Sequence, residues 1–131
     1  MTRVAAIDCG TNTIRLLIAE ADRDDSGRPR LEVLRRRNEI VRLGQGVDGT
    51  GLLDPEALER TLAAVASYAA DCTELGVAPG GDVRRFVATS ATRDARNRED
   101  FVAGVRGLLG IDPEVVSGQE EARLSFTGSL L

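Results

Sequence analysis

A carboxylate, a glycine, two hydroxyls and an amide lie together in a short polar loop near the N-terminus, between two apolar runs. These residues are Asp8, Gly10, Thr11, Asn12 and Thr13. A carboxylate at a strand end can hold Mg²⁺ directly or through water, and a glycine lets the backbone come close to a ligand. The hydroxyls, the amide and the N–H groups of a tight turn can donate hydrogen bonds to a phosphate. The pattern indicates either a site for a metal and a phosphate or a hairpin turn whose polar groups satisfy its own backbone.

A second polar loop, ATSATRDARN at residues 88–97, follows another apolar run. Ser90 comes directly after the predicted strand, and Arg93 lies shortly before the residue expected to cap the next helix. An arginine at this place can hold a phosphate through a bidentate pair of hydrogen bonds. Because Arg96 and Arg98 are near neighbours, this loop by itself favours the simpler interpretation that Arg93 is one of several surface arginines.

A third segment, SGQEEARLSF at residues 117–126, carries two consecutive glutamates. Ser117 and Glu120 fit a capping box, in which the serine caps a helix and the glutamate reaches back to its N–H. Glu121 is not needed for the cap and lies near the positive end of the helix, where it could act as a general base toward water. Considered by itself, this segment favours the simpler interpretation that Glu121 is a solvent-exposed glutamate of the helix. Together, the three loops lie at strand ends and supply a metal ligand, phosphate donors, an arginine and a base.

Two absences narrow the chemistry that this chain can perform. The 131 residues include no histidine and no lysine, so all 17 cationic side chains are arginines. A Ser-His-Asp triad, a Walker A lysine, a Schiff base and a histidine-containing zinc site are therefore excluded. Two cysteines are too few for a zinc site made of cysteine alone. General acid or base chemistry must come from a carboxylate.

The bulk composition gives no sign of a nucleic-acid or membrane partner. The net charge is −4, and one tyrosine, three phenylalanines and no tryptophan are too few for a base-stacking surface. No apolar run approaches the roughly 18 residues of a membrane span, and the start, MTRVAAID, lacks the apolar core of a signal peptide. Cys9 and Cys72 are far apart and are expected to be free thiols in a cytoplasmic protein.

The hydrophobic pattern predicts an α/β fold in the order β-β-β-α-β-α-β-α. Strands are predicted over residues 3–9, 14–21, 31–43, 83–89 and 113–117. Three adjacent strands followed by alternating helices and strands indicate one mixed five-stranded sheet with flanking helices, in which the first three strands are antiparallel. The loops that hold Asn12 and Arg93 follow strands expected to be neighbours, so we expect them to line one cleft.

Helices are predicted over residues 54–75, over 97–109 and from 117 onward. Asp54 is expected to cap the first with Pro55 at its first position, and Asn97 to cap the second. The buried face of the first helix is predicted from the 3–4 spacing of its apolar residues. These are Leu58, Leu62, Val65, Ala66, Ala69 and Cys72.

Four ordered segments resemble the exopolyphosphatase / guanosine pentaphosphate phosphohydrolase (Ppx/GppA) family. They are AAIDCGTNTIRLLIAE, VRLGQGVDGTGLLDPEAL, ATSATRDARNREDF and VVSGQEEARLSFTG. The resemblance implies a ribonuclease H-like core of the actin and sugar-kinase superfamily. It also implies Mg²⁺ as cofactor and hydrolysis of the terminal phosphoanhydride of polyphosphate or removal of a phosphate from guanosine pentaphosphate.

The resemblance also assigns roles to residues of this chain. The opening loop is similar to the first phosphate-binding loop of the family, with Asp8 toward the metal and Arg15 just beyond the loop as a further phosphate contact. Ser90 and Arg93 correspond to phosphate-binding positions, and Glu121 corresponds to the catalytic base. The cysteine at position 9, where many relatives have an apolar residue, could make the loop sensitive to oxidation.

The family pattern continues with a second glycine-rich phosphate loop that these 131 residues lack. We therefore expect residues 1–131 to be the N-terminal lobe of a longer protein, holding one side of the cleft and inactive alone, and the whole enzyme to be a homodimer. Two other functions stay open, an ATP-dependent sugar kinase of the same superfamily and a non-catalytic polyphosphate or nucleotide sensor. Phosphate release from polyphosphate would separate them, because the kinase needs a sugar acceptor and the sensor releases none.

Overall fold

The computed structural model describes residues 2–44, 50–88 and 95–115. In these residues the strands and helices occur in the predicted order, β-β-β-α-β-α-β. The strands are β1 (Thr2–Cys9), β2 (Thr13–Arg23), β3 (Pro29–Ile40), β4 (Arg84–Ala88) and β5 (Glu114–Val115), and the helices are α1 (Pro55–Glu74) and α2 (Arg98–Leu109). The helix predicted from residue 117 lies outside the described residues. Neither α1 nor α2 is long and apolar enough to cross a membrane.

The five strands form one mixed sheet in the order β3-β2-β1-β4-β5. β2 pairs antiparallel with both β1 and β3, whereas β4 pairs parallel with both β1 and β5. The predicted mixed sheet with three antiparallel strands is therefore confirmed. β1 lies at the centre, with β2 on one side and β4 on the other.

The core lies on one face of this sheet, beneath the two helices. Alternate residues of β1 and β2 face it, because successive side chains of a strand point to opposite faces. The buried members of these two strands include Ala5, Ile7, Cys9, Ile14, Leu16 and Ile18. Phe86 of β4 meets Phe101 of α2 edge to face, with ring centroids 5.8 Å apart. The alternate set, which includes Asp8 and Arg15, lies on the other face.

β3 ends three residues earlier than the predicted limit of residue 43. Val41 and Leu43 are buried as expected of apolar residues, but they lie in a turn after the strand. Arg42 has a φ of 52°, in the left-handed region that ends an extended strand. Ile40 is 72% exposed at the free edge of the sheet. The apolar pattern therefore marked the burial of Val41 and Leu43 correctly, but it marked neither the exposure of Ile40 nor the end of the strand.

The buried face of α1 differs from the predicted face. Asp54 caps the helix as expected, accepting hydrogen bonds from the N–H groups of Glu56 and Ala57. The buried residues are Ala57, Thr61, Val65, Tyr68, Asp71 and Cys72. Only Val65 and Cys72 were in the predicted set; Ala66 is exposed, and Leu58, Leu62 and Ala69 are half-buried. The helix is rotated so that three polar side chains enter the interior, where each finds a hydrogen-bond partner.

Leu62, one of the half-buried residues of α1, faces α2. The Cδ atoms of Leu62 lie 2.8 Å from the place that a Cβ of Gly104 would occupy, so the missing side chain lets α1 and α2 approach closely. The C-terminal end of α2 is held by Arg84, whose buried guanidinium donates to the carbonyls of Leu109 (3.1 Å) and Val77 (2.8 Å). A cation at a helix C-terminus is favoured by the helix dipole.

Asn97 occupies the N-cap position of α2 but does not cap it, which corrects the sequence expectation. Its side chain makes no capping hydrogen bond. Instead its Oδ1 accepts from the N–H of Leu53 at 2.7 Å, and its Nδ2 donates to the carbonyl of Leu53 at 3.2 Å. The adjacent Arg96 donates its backbone N–H to the carbonyl of Gly51. The start of α2 is thus tied to the segment that leads into α1.

This pairing predicts the effect of replacing Asn97 by aspartate. Aspartate caps helices as well as asparagine, but it cannot donate to the Leu53 carbonyl and would place a negative charge beside it. We expect Asn97→Asp to lower the free energy of unfolding by about 1–2 kcal/mol, measured by urea unfolding of the whole protein. Asp54→Asn, at the true cap of α1, is the matched control and should change stability by less than about 0.5 kcal/mol. An Asn97→Asp protein as stable as the wild type would contradict the pairing role.

Candidate functional site

The polar loop between β1 and β2 is closed by its own backbone. The N–H of Gly10 donates to the carbonyl of Thr13 at 2.9 Å. This bond turns the chain back so that β2 pairs with β1 from Thr13 onward. The side chains of Thr11 and Asn12 lie at the surface of the turn.

The same loop is held from its other side by residues 41–44, which follow β3. The carbonyl of Asn12 accepts from two consecutive N–H groups, those of Val41 (2.8 Å) and Arg42 (2.9 Å), and the carbonyl of Thr11 accepts from the N–H of Gly44 (2.9 Å). The left-handed conformation of Arg42 belongs to this turn of the chain. Two carbonyls that would repel an anion are thereby paired with 41–44, so the loop has a fixed shape.

Gly44 is a contact that sequence reasoning missed. A Cβ on this residue would lie 2.3 Å from Cγ2 of Thr11, well inside van der Waals distance. A side chain at this position would therefore require the Thr11 side chain to shift. The available signal was the glycine at the start of the glycine-rich stretch GQGVDGTG, but the sequence did not say which loop it would contact.

Asp8 is placed at the C-terminal end of β1, as predicted, and one of its carboxylate oxygens is unusual. Its Oδ1 is buried and has no hydrogen-bond partner among the described residues. A buried polar atom without a partner carries an energetic penalty, larger for a charged group than for a neutral one. Arg15 is opposite Asp8 in the β1–β2 register and its side chain is exposed. No ion pair joins the two in the described part of the chain.

Cys9 follows Asp8 but lies on the opposite face, in the core. Its side chain is 1% exposed, and burial, with a further contribution from the charge of Asp8, raises the pKa of its thiol to about 12. Because the thiolate is the form that reacts with oxidants, this environment makes the thiol unreactive. This environment argues against the expectation that Cys9 makes the loop sensitive to oxidation. Both cysteines are free thiols, as predicted.

The remaining predicted site residues, Ser90, Arg93 and Glu121, lie outside the described residues. The strands that lead to them are described: β4 ends beside the C-terminal end of β1, and β5 ends beside β4. Ala88, the last residue of β4, is opposite Cys9, and Val115, the last residue of β5, is opposite Ala88, in both cases with parallel strands. The prediction that β1 and β4 are neighbours is confirmed, and the roles of the three residues stay predictions.

Comparisons with known proteins agree with this arrangement. A model of the Ppx/GppA phosphatase family matches residues 18–130. The chain is 48% identical over 135 residues to a Mycobacterium tuberculosis protein named exopolyphosphatase 2, with 99% of this chain and 41% of that protein covered. It thus spans about two-fifths of the length of this relative.

Two crystal structures are similar in fold as well as in sequence. An Aquifex aeolicus member of the Ppx/GppA family has 33% identity and a TM-score of 0.79, covering 93% of this chain and 37% of that chain. An exopolyphosphatase from Cytophaga hutchinsonii has 29% identity and a TM-score of 0.78, covering 94% and 36%.

The close contact between Gly44 and Thr11 predicts a coupled pair of substitutions. Gly44→Ala should destabilise the whole protein by about 1–3 kcal/mol, because the added methyl group overpacks the contact. Thr11→Ser removes the methyl group that it would strike, so the double variant should recover most of that loss. Thermal unfolding of the two single variants and the double variant would measure the coupling; additive effects would contradict the contact.

The burial of Cys9 predicts slow modification of its thiol. Iodoacetamide at pH 8 should label Cys9 in the native protein more slowly than in the urea-unfolded protein by at least about 10²-fold, because the thiolate population is so low. Peptide mass spectrometry after timed quenching would give both rates. Comparable labelling of Cys9 in the folded and unfolded protein would show that the thiol is accessible and ionisable.

Proposed function

The chain belongs to the Ppx/GppA phosphatase family, and on this basis we propose that residues 1–131 are the N-terminal, ribonuclease H-like lobe of a longer phosphohydrolase. The whole enzyme releases the terminal phosphate of polyphosphate. The exopolyphosphatase names of the relatives support polyphosphate as substrate. Guanosine pentaphosphate as a further substrate, a cytoplasmic location and a homodimeric whole enzyme belong to the same proposal and rest on the resemblance.

The observation that carries the proposal is the buried Oδ1 of Asp8 beside the Gly10–Thr13 loop, for which the described residues provide no hydrogen-bond partner. A hard carboxylate oxygen suits Mg²⁺, which is usually bound by one or two carboxylates together with water and substrate phosphates. A single protein carboxylate is consistent with the described residues, where no cluster of three ligating side chains occurs. Asp8 would hold the cation, and bound Mg²⁺ would neutralise negative charge on the substrate phosphates.

The loop and its neighbour strand supply the groups that bind phosphate. Thr11, Asn12 and Thr13 offer hydroxyl and amide donors on a backbone that residues 41–44 hold in place. Arg15, exposed on β2 opposite Asp8, adds a guanidinium that can pair with phosphate oxygens. These groups fix the anion without forming a covalent bond to it, which suits direct hydrolysis by water.

The segments that follow β4 and β5 supply the rest of the site in this proposal. Ser90 and Arg93 follow β4 and bind phosphate, and Glu121 follows β5 and acts as the base. Glu121 orients a water molecule and accepts its proton while the water oxygen bonds to the terminal phosphorus. The phosphoanhydride P–O bond breaks, and its electron pair stays with the shortened chain, so that orthophosphate leaves.

Glu121 is tested by Glu121→Gln in the whole protein. The amide keeps the shape of the side chain but cannot accept the proton of water, so phosphate release from polyphosphate should fall by about 10²–10⁴-fold. Polyphosphate binding should stay largely intact. Initial rates at saturating Mg²⁺, together with binding to immobilised polyphosphate, would measure the two effects.

Glu120→Gln is the matched control. Glutamine still completes a capping box, so most activity should survive. An active Glu121→Gln protein beside an inactive Glu120→Gln protein would mean that the other glutamate is the base. Two active variants would remove the general-base mechanism. A wild-type protein that releases phosphate only in the presence of a sugar acceptor would be a kinase, and one that binds polyphosphate without release would be a sensor.

A further inference from the structure

Tyr68 joins the buried face of α1 to the point where the candidate phosphate loop rejoins the sheet. None of its side chain is exposed. Its hydroxyl has a single proton and faces two acceptors, Oε2 of Glu39 and the carbonyl of Ile14, which lies 3.1 Å away and belongs to the residue directly after Thr13. Ile14 and Glu39 are partners in the β2–β3 register. One hydroxyl therefore contacts both strands at the base of the loop.

The carboxylate of Glu39 is itself held by an arginine. Nη2 of Arg37 donates to Oε1 of Glu39 at 3.0 Å, and the guanidinium carbon of Arg37 lies 5.1 Å from the centre of the Tyr68 ring. Nη1 of Arg37 donates to Asp71 (2.6 Å) and to Ser67 (2.7 Å), both on α1. Because both carboxylate oxygens of Glu39 are hydrogen-bonded, the carboxylate is held in one orientation toward the tyrosine hydroxyl.

α1 also reaches the segment that holds the other side of the loop. Nε of Arg60 donates to the carbonyl of Val41 at 3.0 Å, and the N–H of Val41 donates to the carbonyl of Asn12. The helix is thereby connected to the loop both where the loop enters β2 and where residues 41–44 hold it. Tyr68 provides the first connection and Arg60 the second.

A phenylalanine would fill the same space without carrying a polar atom into the core. Burying a hydroxyl is unfavourable unless it is hydrogen-bonded. A tyrosine hydroxyl at this place therefore indicates a role beyond filling the core. The groups that bind a reacting phosphate must keep their geometry closely, and a displacement of about 1 Å can reduce a rate by about 10²-fold.

We propose that Tyr68 is a positioning residue for phosphate hydrolysis: its hydroxyl, through Ile14 and Glu39, fixes the Gly10–Thr13 loop in the shape that binds the reacting phosphate. This inference rests on the proposed function of the loop. Tyr68 lies in the core and acts through the backbone of Ile14 rather than by touching substrate.

The test is Tyr68→Phe in the whole protein. We expect kcat for phosphate release from long-chain polyphosphate to fall by about 5- to 100-fold, because the loop loses its fixed geometry while the ring still fills the core. Hydrogen exchange of the peptide that spans residues 10–16, followed by mass spectrometry, should become faster in the same variant. This second readout does not depend on activity.

Thr61→Val is the matched control. Thr61 carries another fully buried hydroxyl on the same face of α1, but among the described residues that hydroxyl donates only to the carbonyl of Ala57 within the helix, at 2.7 Å. Its removal should leave kcat and the exchange of residues 10–16 unchanged. Equal losses in the two variants would show a general loosening of the helix and would overturn the proposal.

Glu39→Ala is the second variant, and it also serves if Tyr68→Phe does not fold. It should reduce kcat and speed exchange in the same direction, and the double variant should lose no more than the worse single variant, because both act through one contact. Wild-type kcat and wild-type exchange in Tyr68→Phe, or in Glu39→Ala, would overturn the positioning role. A wild-type protein without phosphate release would refute the proposed function, while the exchange comparison would still decide whether Tyr68 fixes the loop.

Discussion

The central place of β1 in the sheet is the constraint on which the candidate site depends. An antiparallel partner can return through a short loop, whereas a parallel partner must return through a long crossover. β1 has one partner of each kind, β2 and β4. Its C-terminal end therefore meets both the adjacent hairpin loop and the C-terminal end of β4, where Ala88 is opposite Cys9. Asp8 lies at this junction, so the topology alone gathers local and distant groups around one carboxylate.

The loop keeps its shape through two steps of support: α1 holds β3, and the residues that follow β3 hold the loop. Asp71 of α1 accepts from Arg35 (2.8 Å) and Arg37 (2.6 Å) of β3. Single exposed ion pairs contribute little to stability, but the side chain of Asp71 is only 12% exposed and joins two cations. β3 is an edge strand, and these contacts hold it against the helix. The chain then continues into residues 41–44, whose N–H groups fix the carbonyls of the loop.

Asp8 and Cys9 show how one strand end serves both stability and chemistry. Because neighbouring residues of a strand face opposite sides of the sheet, Cys9 fills the core, while Asp8 keeps an oxygen that no group in the described part of the chain hydrogen-bonds. A buried thiol is a small apolar group here and adds no reactivity. An unpaired carboxylate oxygen is unfavourable for the folded state, and a bound cation would remove that penalty. The end of β1 thus packs into the core through Cys9 on one face of the sheet and carries the candidate site residue Asp8 on the other.

The sequence by itself determined the features that depend on neighbours along the chain. Two apolar runs on either side of the polar loop marked β1 and β2, Asp54 and Pro55 marked the start of α1, and the mixture of a carboxylate, a glycine and hydroxyls marked the loop. These signals are local, because side-chain alternation, capping and turn formation act within a few residues. The order of elements was enough to predict which strands are antiparallel.

Only the tertiary structure decided where the polar side chains find their partners. The apolar spacing placed the buried face of α1 on Leu58 and Leu62, but the helix turns Thr61, Tyr68 and Asp71 inward. Asn97 has the composition of a cap, yet it bonds to Leu53, which lies 44 residues earlier. A hydrophobic residue needs only to leave water, so its pattern can be read from the sequence, whereas a buried polar group needs a particular partner at hydrogen-bond distance. That partner is brought into place only by folding.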